Sequence, residues 1–284
     1  MNPEQYAAAQ AAISAQVANY TSSIARLFTG PVLSIGQWLG LLQALFPEVQ
    51  RQYAEAAALA RGFYDSQREL HHPELPRNER LLTELEWEWF VRNMDGARPG
   101  MSQADSPPAA VTNLTLRAVR EVEMAGRRQI IGAVNDDPQT IQGWARVATG
   151  RETCAWCLML ISRGPTYLGS ETAGLDLDDE SAAEMYRDAG GDLTKFRADT
   201  EEYIQQWHAG CDCLVVPVFN RNAWPGLAAQ KRAEQLWISA TREAQELIDS
   251  GKARSNNLNK ETQNALRRRL ERGDLSMTNY ALAA

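Results

Sequence analysis

Two short words in the chain have the composition of metal-ligand half-sites. Cys154-Ala155-Trp156-Cys157 places two thiols three residues apart, and His208-Ala209-Gly210-Cys211-Asp212-Cys213 offers an imidazole and two more thiols. A C-x-x-C turn lets two thiolates converge on one ion at about 2.3 Å, and H-x-x-C presents an imidazole and a thiolate at the same spacing. Tetrahedral coordination by sulfur and nitrogen suits zinc. A closed set of four protein ligands leaves no place for a reactive water, so such a site would be structural. Five donors compete for those four places. Cys154, Cys157, His208 and Cys211 have the most ordinary spacing, and Cys213 can replace either member of the second pair. All four cysteines and one of the three histidines fall within these two words.

The half-sites lie about fifty residues apart, longer than in a compact zinc finger, so the expected role is a clip that closes a long polar insertion. A disulfide formed on later exposure to oxidant, and buried free thiols, stay open as alternatives. A thioredoxin-like use of the C-x-x-C fits less well, because no alternating βα pattern surrounds it. A nucleophilic cysteine paired with His208 is supported by residue type alone. His71 and His72, in His-His-Pro-Glu-Leu-Pro, read as exposed loop residues. The chain has no phosphate-cradling glycine loop, no G-x-S-x-G and no H-E-x-x-H, so the expectation is a protein that is not an enzyme.

The elements that must position these words are mostly helical. The 284 residues are 44% apolar, enough to fill a core, and 29 basic against 36 acidic residues give a net charge of -7. A uniformly basic nucleic-acid coat is thereby excluded. Residues 1–25 hold no Lys or Arg and lack the layout of a secretory signal, and the most apolar window, Gln37 to Phe46, is shorter than the roughly 20 residues of a membrane span. The expectation is therefore a cytoplasmic site of synthesis and no bilayer span. Ile13, Val17, Tyr20, Ile24 and Leu27 recur at helical spacing; Trp38, Leu41, Leu42, Leu45 and Phe46 form a second stripe; Val49, Tyr53, Ala56, Ala60 and Phe63 form a third. Breaks at Gly30-Pro31 and Pro47 would make these three consecutive helices, a helical hairpin or bundle. Residues 84–89 fit either a strand or one helix face.

A Pro-, Gly- and Ser-rich stretch at 96–110 reads as a linker after the helical N-terminal region, 1–95. Thr112 or Asn113 then caps a helix carrying Val119, Val122, Gly126, Ile130 and Ala133, which Asp136-Asp137-Pro138 ends. Arg117, Arg120, Arg127 and Arg128 decorate it. The segments 144–149 and 213–219 read as short strands, each beside a cysteine word. Between them, 169–202 is an acidic, partly helical excursion containing Glu171, Asp176, Asp178, Asp179 and Glu180. The stripe Ala229, Ala233, Leu236, Trp237, Ala240, Ala244 opens a C-terminal helical region, 226–284. Its basic arm of Lys252, Arg254, Lys260, Arg267, Arg268, Arg269 and Arg272 could touch double-stranded DNA. The fold class is thus mainly α: N-terminal helical bundle or hairpins, a small α+β zinc-clipped module at 111–225, and C-terminal helices.

Gly143-Trp144-Ala145-Arg146-Val147, Thr153-Cys154-Ala155-Trp156-Cys157, Ser162-Arg163-Gly164-Pro165 and Trp207-His208-Ala209-Gly210-Cys211-Asp212-Cys213 together resemble the phage Mu F-like head morphogenesis proteins, the minor capsid proteins of tailed phages, in the form found in actinobacterial phages. The resemblance covers residues 110 to 225. It implies a virion protein inside the head near the portal vertex, assembled in the host cytoplasm, with the portal protein and the major capsid protein as partners and a role in DNA packaging or ejection. It carries over Cys154, Cys157, His208, Cys211 and Cys213 as motif positions and no catalytic residue. Relatives of this type often have Pro or Asn inside the H-x-x-C step, where Ala209-Gly210 stand here. A capsid maturation protease or other Cys-His hydrolase, and a zinc-dependent DNA-binding protein, are the competing functional classes.

Overall fold

A computed structural model describes residues 1–28, 32–103, 108–137, 139–151, 153–165, 179–200, 207–211 and 213–282. The chain is mainly helical. Among the described residues, one two-stranded sheet is formed by β1 (Trp144–Val147) and β2 (Leu214–Pro217). The chain divides into two compact units. The first comprises residues 1–144 and 214–225, and the second residues 145–213 and 226–282.

In the first unit α1 (Pro3–Leu27), α2 (Ile35–His71) and α5 (Pro108–Asp136) pack as a three-helix bundle. Both α1 and α2 begin with a capping box, Asn2 with Gln5 and Ser34 with Gln37, which satisfies first-turn N–H groups that have no intrahelical partner. Most of the apolar stripes read from the sequence are buried, Ile13 and Val17, then Trp38, Leu41, Leu42 and Leu45, then Val49, Tyr53 and Ala56, but Leu27 at the end of α1 is 78% exposed, beyond the reach of the bundle core. The second and third stripes share one helix, however. Pro47 does not end α2, because its exposed position lets the helix lose one hydrogen bond while Leu45 and Val49 on either side stay buried.

Residues 84–86 belong to neither a strand nor a helix, Glu86 being extended, and α3 (Trp87–Met94) is helical. Phe46, Trp87 and Phe90 meet there as an aromatic cluster. The stretch expected to be a linker carries a 3-10 turn, Asp95–Ala97, and α4 (Arg98–Met101), with Ala97 and Met101 buried; residues 104–107 lie outside the described ones. Pro108, not Thr112 or Asn113, opens α5, as suits a residue with no N–H to leave unsatisfied. The Arg residues of α5 are not a uniform solvated face. Arg127 is 1% exposed and pairs at 3.0 Å with Glu123, whose carboxylate also accepts from Ser14 on α1. Nearby, a Cβ at Gly126 would come within 3.1 Å of the Tyr6 hydroxyl, so glycine permits the close approach of α1 to α5.

In the second unit α6 (Ala155–Ser162) is apolar and buried nearly all round. It packs with α9 (Leu227–Asp249) and α10 (Leu258–Glu271), on which Ala233, Ala240, Ala244 and Ala265 are buried. Arg268 and Arg269, part of the expected basic arm, both engage Glu243 of α9. Within the acidic excursion α7 (Asp179–Asp188) and α8 (Leu193–Asp199) are helical, with Tyr186 and Phe196 in edge contact. Glu171, Asp176 and Asp178 lie outside the described residues, and no helix among those described is long and apolar enough to cross a membrane.

The buried Glu123–Arg127 pair generates a stability test. Arg127→Met removes the cation from a buried carboxylate and should cost ~3–5 kcal/mol in denaturant unfolding, whereas the double change Glu123→Leu/Arg127→Met should recover most of that loss. A single variant as stable as the native protein would show that the pair contributes nothing.

Candidate metal centre

The first half-site is built on a helix start. Cys154 is the N-cap of α6, in extended conformation, and its Sγ accepts from the Cys157 N–H at 3.4 Å. The C-x-x-C spacing therefore places Cys157 in the first turn, its sulfur on the same side as that of Cys154. The second half-site is a tight turn. The Cys211 N–H donates to the His208 carbonyl at 3.1 Å, and Gly210 between them has φ of 83°, a left-handed conformation that Gly and Asn tolerate. Proline, fixed at negative φ, could not take that place.

The five residues expected to form one site are brought together in two interlocking triads. The ligand atoms of Cys154, Cys157 and His208 lie within 4.8 Å of one another, and so do those of Cys157, Cys211 and Cys213. Cys157 belongs to both. Its sulfur lies 3.3 Å from that of Cys211, and Cys154 Sγ lies 3.2 Å from His208 Nε2. No disulfide joins the cysteines, all of which are free thiols; a bond would need about 2.05 Å between sulfurs. Zinc bonded at about 2.3 Å sets the edge of an S4-type tetrahedron near 3.8 Å, so an opening of about half an ångström separates the observed contacts from that geometry. The donor set fits a soft or borderline cation.

Burial is graded across the site. Cys157, Cys211 and Cys213 are buried, Cys154 is partly exposed and His208 is exposed, so the open side is the Cys154–His208 edge. His208 Nδ1 lies 3.0 Å from the Ala209 carbonyl, which orients the ring and leaves Nε2 toward the sulfur. Charge follows this geometry. The Cys154 thiol is pushed down to about 4, first by the hydrogen bond from Cys157 and then by His208, despite partial burial. Its thiolate in turn holds the His208 imidazole up at about 9. Cys157, which donates to Cys154 and is enclosed by Cys211 and Cys213, is pushed well above the ordinary thiol range. At neutral pH the metal-free edge is thus a thiolate–imidazolium pair.

His71 and His72 take no part in the cluster. His71 ends α2 with its ring stacked 5.3 Å from Phe219, and His72 is half-buried, with Nε2 3.0 Å from the Thr140 carbonyl, so the second is not the solvated loop residue its surroundings in the sequence suggest.

Comparison with known proteins places the chain. A family model described as "VG15 protein" matches residues 2–240. The chain belongs to the VG15 protein family. Among members of this kind, the "Gene 15 protein" of Mycobacterium phage D29 is 68% identical over 274 residues, covering 96% of this chain and all of that one. The "Gene 15 protein" of Mycobacterium phage L5 is 65% identical over an alignment of 294 positions that covers both chains in full. No solved structure matches. VG15 is thus a family with phage members, and the site described above lies within the matched span.

One pair near the site was not singled out for its chemistry in the sequence. Arg146 on β1 lies with its guanidinium carbon 3.5 Å from the centre of the Trp207 ring, and both side chains are 0% exposed. The available signal was a lone charge between Ala145 and Val147 in an otherwise apolar strand.

The thiolate–imidazolium edge makes a reactivity prediction. In chelator-treated protein, iodoacetamide should modify Cys154 ahead of the buried cysteines, at a rate flat between pH 5 and 7 and falling as pH drops through about 4, because the group's folded pKa is depressed. Peptide mass spectrometry reads this directly. A Cys154 rate that climbs steeply from pH 7 to 9, as for an ordinary thiol, would rule out the pair.

Proposed function

We propose that this protein is a structural minor capsid protein of a tailed phage, acting in head morphogenesis at the portal vertex and in the capsid interior. The observation that carries the reading is the convergence in space of Cys154, Cys157, His208, Cys211 and Cys213, the motif positions of the resemblance to Mu F-like proteins. Membership of a family with phage members supports the same setting. The portal protein and the major capsid protein are the partners in this reading, and the head is assembled in the host cytoplasm. The basic C-terminal segment is a weaker candidate for contact with packaged DNA. Arg268 and Arg269 already engage Glu243, which lowers the charge they can offer to phosphate.

In the same reading four of the five donors hold a structural zinc ion. The ion supplies a cross-link between the start of α6 and the turn before β2; the protein supplies the preset helix cap, the Gly210 turn and the oriented imidazole. Loading at pH 7 releases protons, because His208 and Cys157 must give up theirs to become ligands while Cys154 is already ionised. Affinity accordingly weakens as pH falls.

A second reading has one observation in its favour: Cys154 and His208 sit 3.2 Å apart as a nucleophile and base would. It predicts cleavage of a capsid precursor by the native protein and none by a folded Cys154→Ala variant. The structural reading predicts no cleavage by either.

Two measurements test the main proposal. Purified virions should contain the protein, and labelled particles should show it at the portal-proximal interior; its presence in infected lysate but absence from virions would exclude the assignment. Protein purified without chelator should carry about one equivalent of zinc. Cys157→Ser should reduce that below about a tenth, while His71→Ala and His72→Ala leave it unchanged. A native protein with less than about a tenth of an equivalent and fully titratable thiols removes the zinc site.

A further inference from the structure

We infer that the segment 74–88 is a docking strap for a second copy of this chain, and that its occupant is the basic C-terminal segment, 252–272, of that copy. The chain leaves α2 after His71 and enters α3 at Trp87, with no helix or strand between them. Side chains from α2 and α5 nevertheless fix its course. Arg68 donates to the Pro76 carbonyl at 2.5 Å, Arg61 to that of Arg80, Gln129 to that of Leu81 at 3.3 Å and Gln50 to that of Leu85 at 3.0 Å. The Thr83 N–H donates to Gln129 Oε1 at 3.0 Å, and Arg61, Arg68 and Gln129 are buried. Arg77 pairs with Asp65 and Arg80 with Asp136, while Gly132 on α5 leaves the room that the Arg80 guanidinium fills. What this held segment turns outward is leucine. Leu85 is buried, but Leu81 is 86% exposed, and Leu75 and Leu82 are exposed as well. Single exposed leucines are ordinary; several on one backbone that buried side chains hold in place form a preorganised apolar surface, ordered before any partner arrives.

Charge selects the occupant. Glu79, Glu84, Glu86 and Glu88 are interspersed with the leucines along the chain, each exposed and none in an ion pair among the described residues. Two straps face to face would therefore repel, and the net charge of -7 opposes association in general. One segment of the same chain has the opposite character. Lys252, Arg254, Lys260 and Arg267 are exposed and pair with no carboxylate among the described residues, whereas Arg268 and Arg269 engage Glu243 and Arg272 engages Asp274. Lys260 and Arg267 are seven residues apart, on one side of α10. Long cationic side chains lay their aliphatic stems along apolar surface while the charged ends reach the acids beside it. The contact is head to tail. Each copy keeps a strap at one end of the pair and a basic segment at the other, so further copies add into a ring or an open chain. This inference is independent of the zinc and capsid readings.

Sedimentation velocity of the full-length protein tests it. At ~0.01 M salt, where the screening length is about 30 Å, the native protein should form oligomers in a concentration-dependent way, and association should weaken at ~0.15 M, where that length is about 8 Å. Leu81→Ser should weaken association about tenfold or more. The double changes Glu79→Lys/Glu84→Lys and Lys260→Glu/Arg267→Glu should each leave monomers, because like charges then face each other. Mixing these two monomeric variants should restore association, since each retains the face that the other has lost. All the substituted side chains are exposed, so circular dichroism and thermal unfolding should match those of the native protein. If a reversal variant does not fold, the neutral change Glu79→Gln/Glu84→Gln decides in its place, with weaker association expected. A native protein that stays monomeric at low salt overturns the proposal. So does association that survives the charge changes in folded variants, or that mixing fails to restore.

Discussion

The second unit holds four thiols and an imidazole in one place although the two words that supply them are about fifty residues apart. Convergence of this kind is unfavourable on two counts. Closing so long a loop costs chain entropy, and thiolates brought within 4.8 Å of one another repel as soon as more than one ionises. The metal-free arrangement meets the second difficulty by ionising the exposed edge while protonating the interior. Cys154 becomes a thiolate against His208, and Cys157, deeper in, keeps its proton and shares it with its neighbours. A cation at the centre would remove the repulsion outright, which is why the same geometry that is strained for thiolates is favourable for a metal site.

Local structure does much of the positioning. The N-cap role of Cys154 follows from the extended residue that must precede a helix, and the x-x spacing is then dictated by the first turn of α6. At the other half-site, Gly210 supplies the left-handed residue that turns the chain from His208 to Cys211. The C-x-x-C and H-x-x-C spacings were legible in the sequence, whereas the helix that starts after Cys154 and the left-handed Gly210 come from the structure. The apolar stripes of α1, α2 and α9 were legible too, since the helical period selects the buried face, with Leu27 at the end of α1 the exception.

What the sequence hid depends on contacts over long separations. Pro47 reads as a helix end, yet burial of Leu45 and Val49 against the bundle outweighs the hydrogen bond it removes. The small, polar composition of 96–110 reads as a linker, but Ala97 and Met101 are buried because α5 begins earlier than its polar residues suggest. His72 reads as a loop residue, and Thr140, far along the chain, holds it. Whether a charge on an amphipathic helix faces water or a partner cannot be taken from its type. Arg127 is the clearest case, a cation enclosed by a carboxylate one turn away.

The two units solve the burial of charge differently, and the difference follows from what surrounds each cation. In the helical bundle a long apolar interior already supplies most of the stabilisation, and Arg127 is accommodated by Glu123 on the same helix, at a spacing the helix itself provides. In the second unit α6 is buried nearly all round and packs with α9 and α10. Arg146 there lies on a strand, its guanidinium carbon 3.5 Å from the centre of the Trp207 ring. In the zinc reading, a cross-link at the point where the two cysteine words meet would offset part of the cost of loop closure and of charge crowding in this unit.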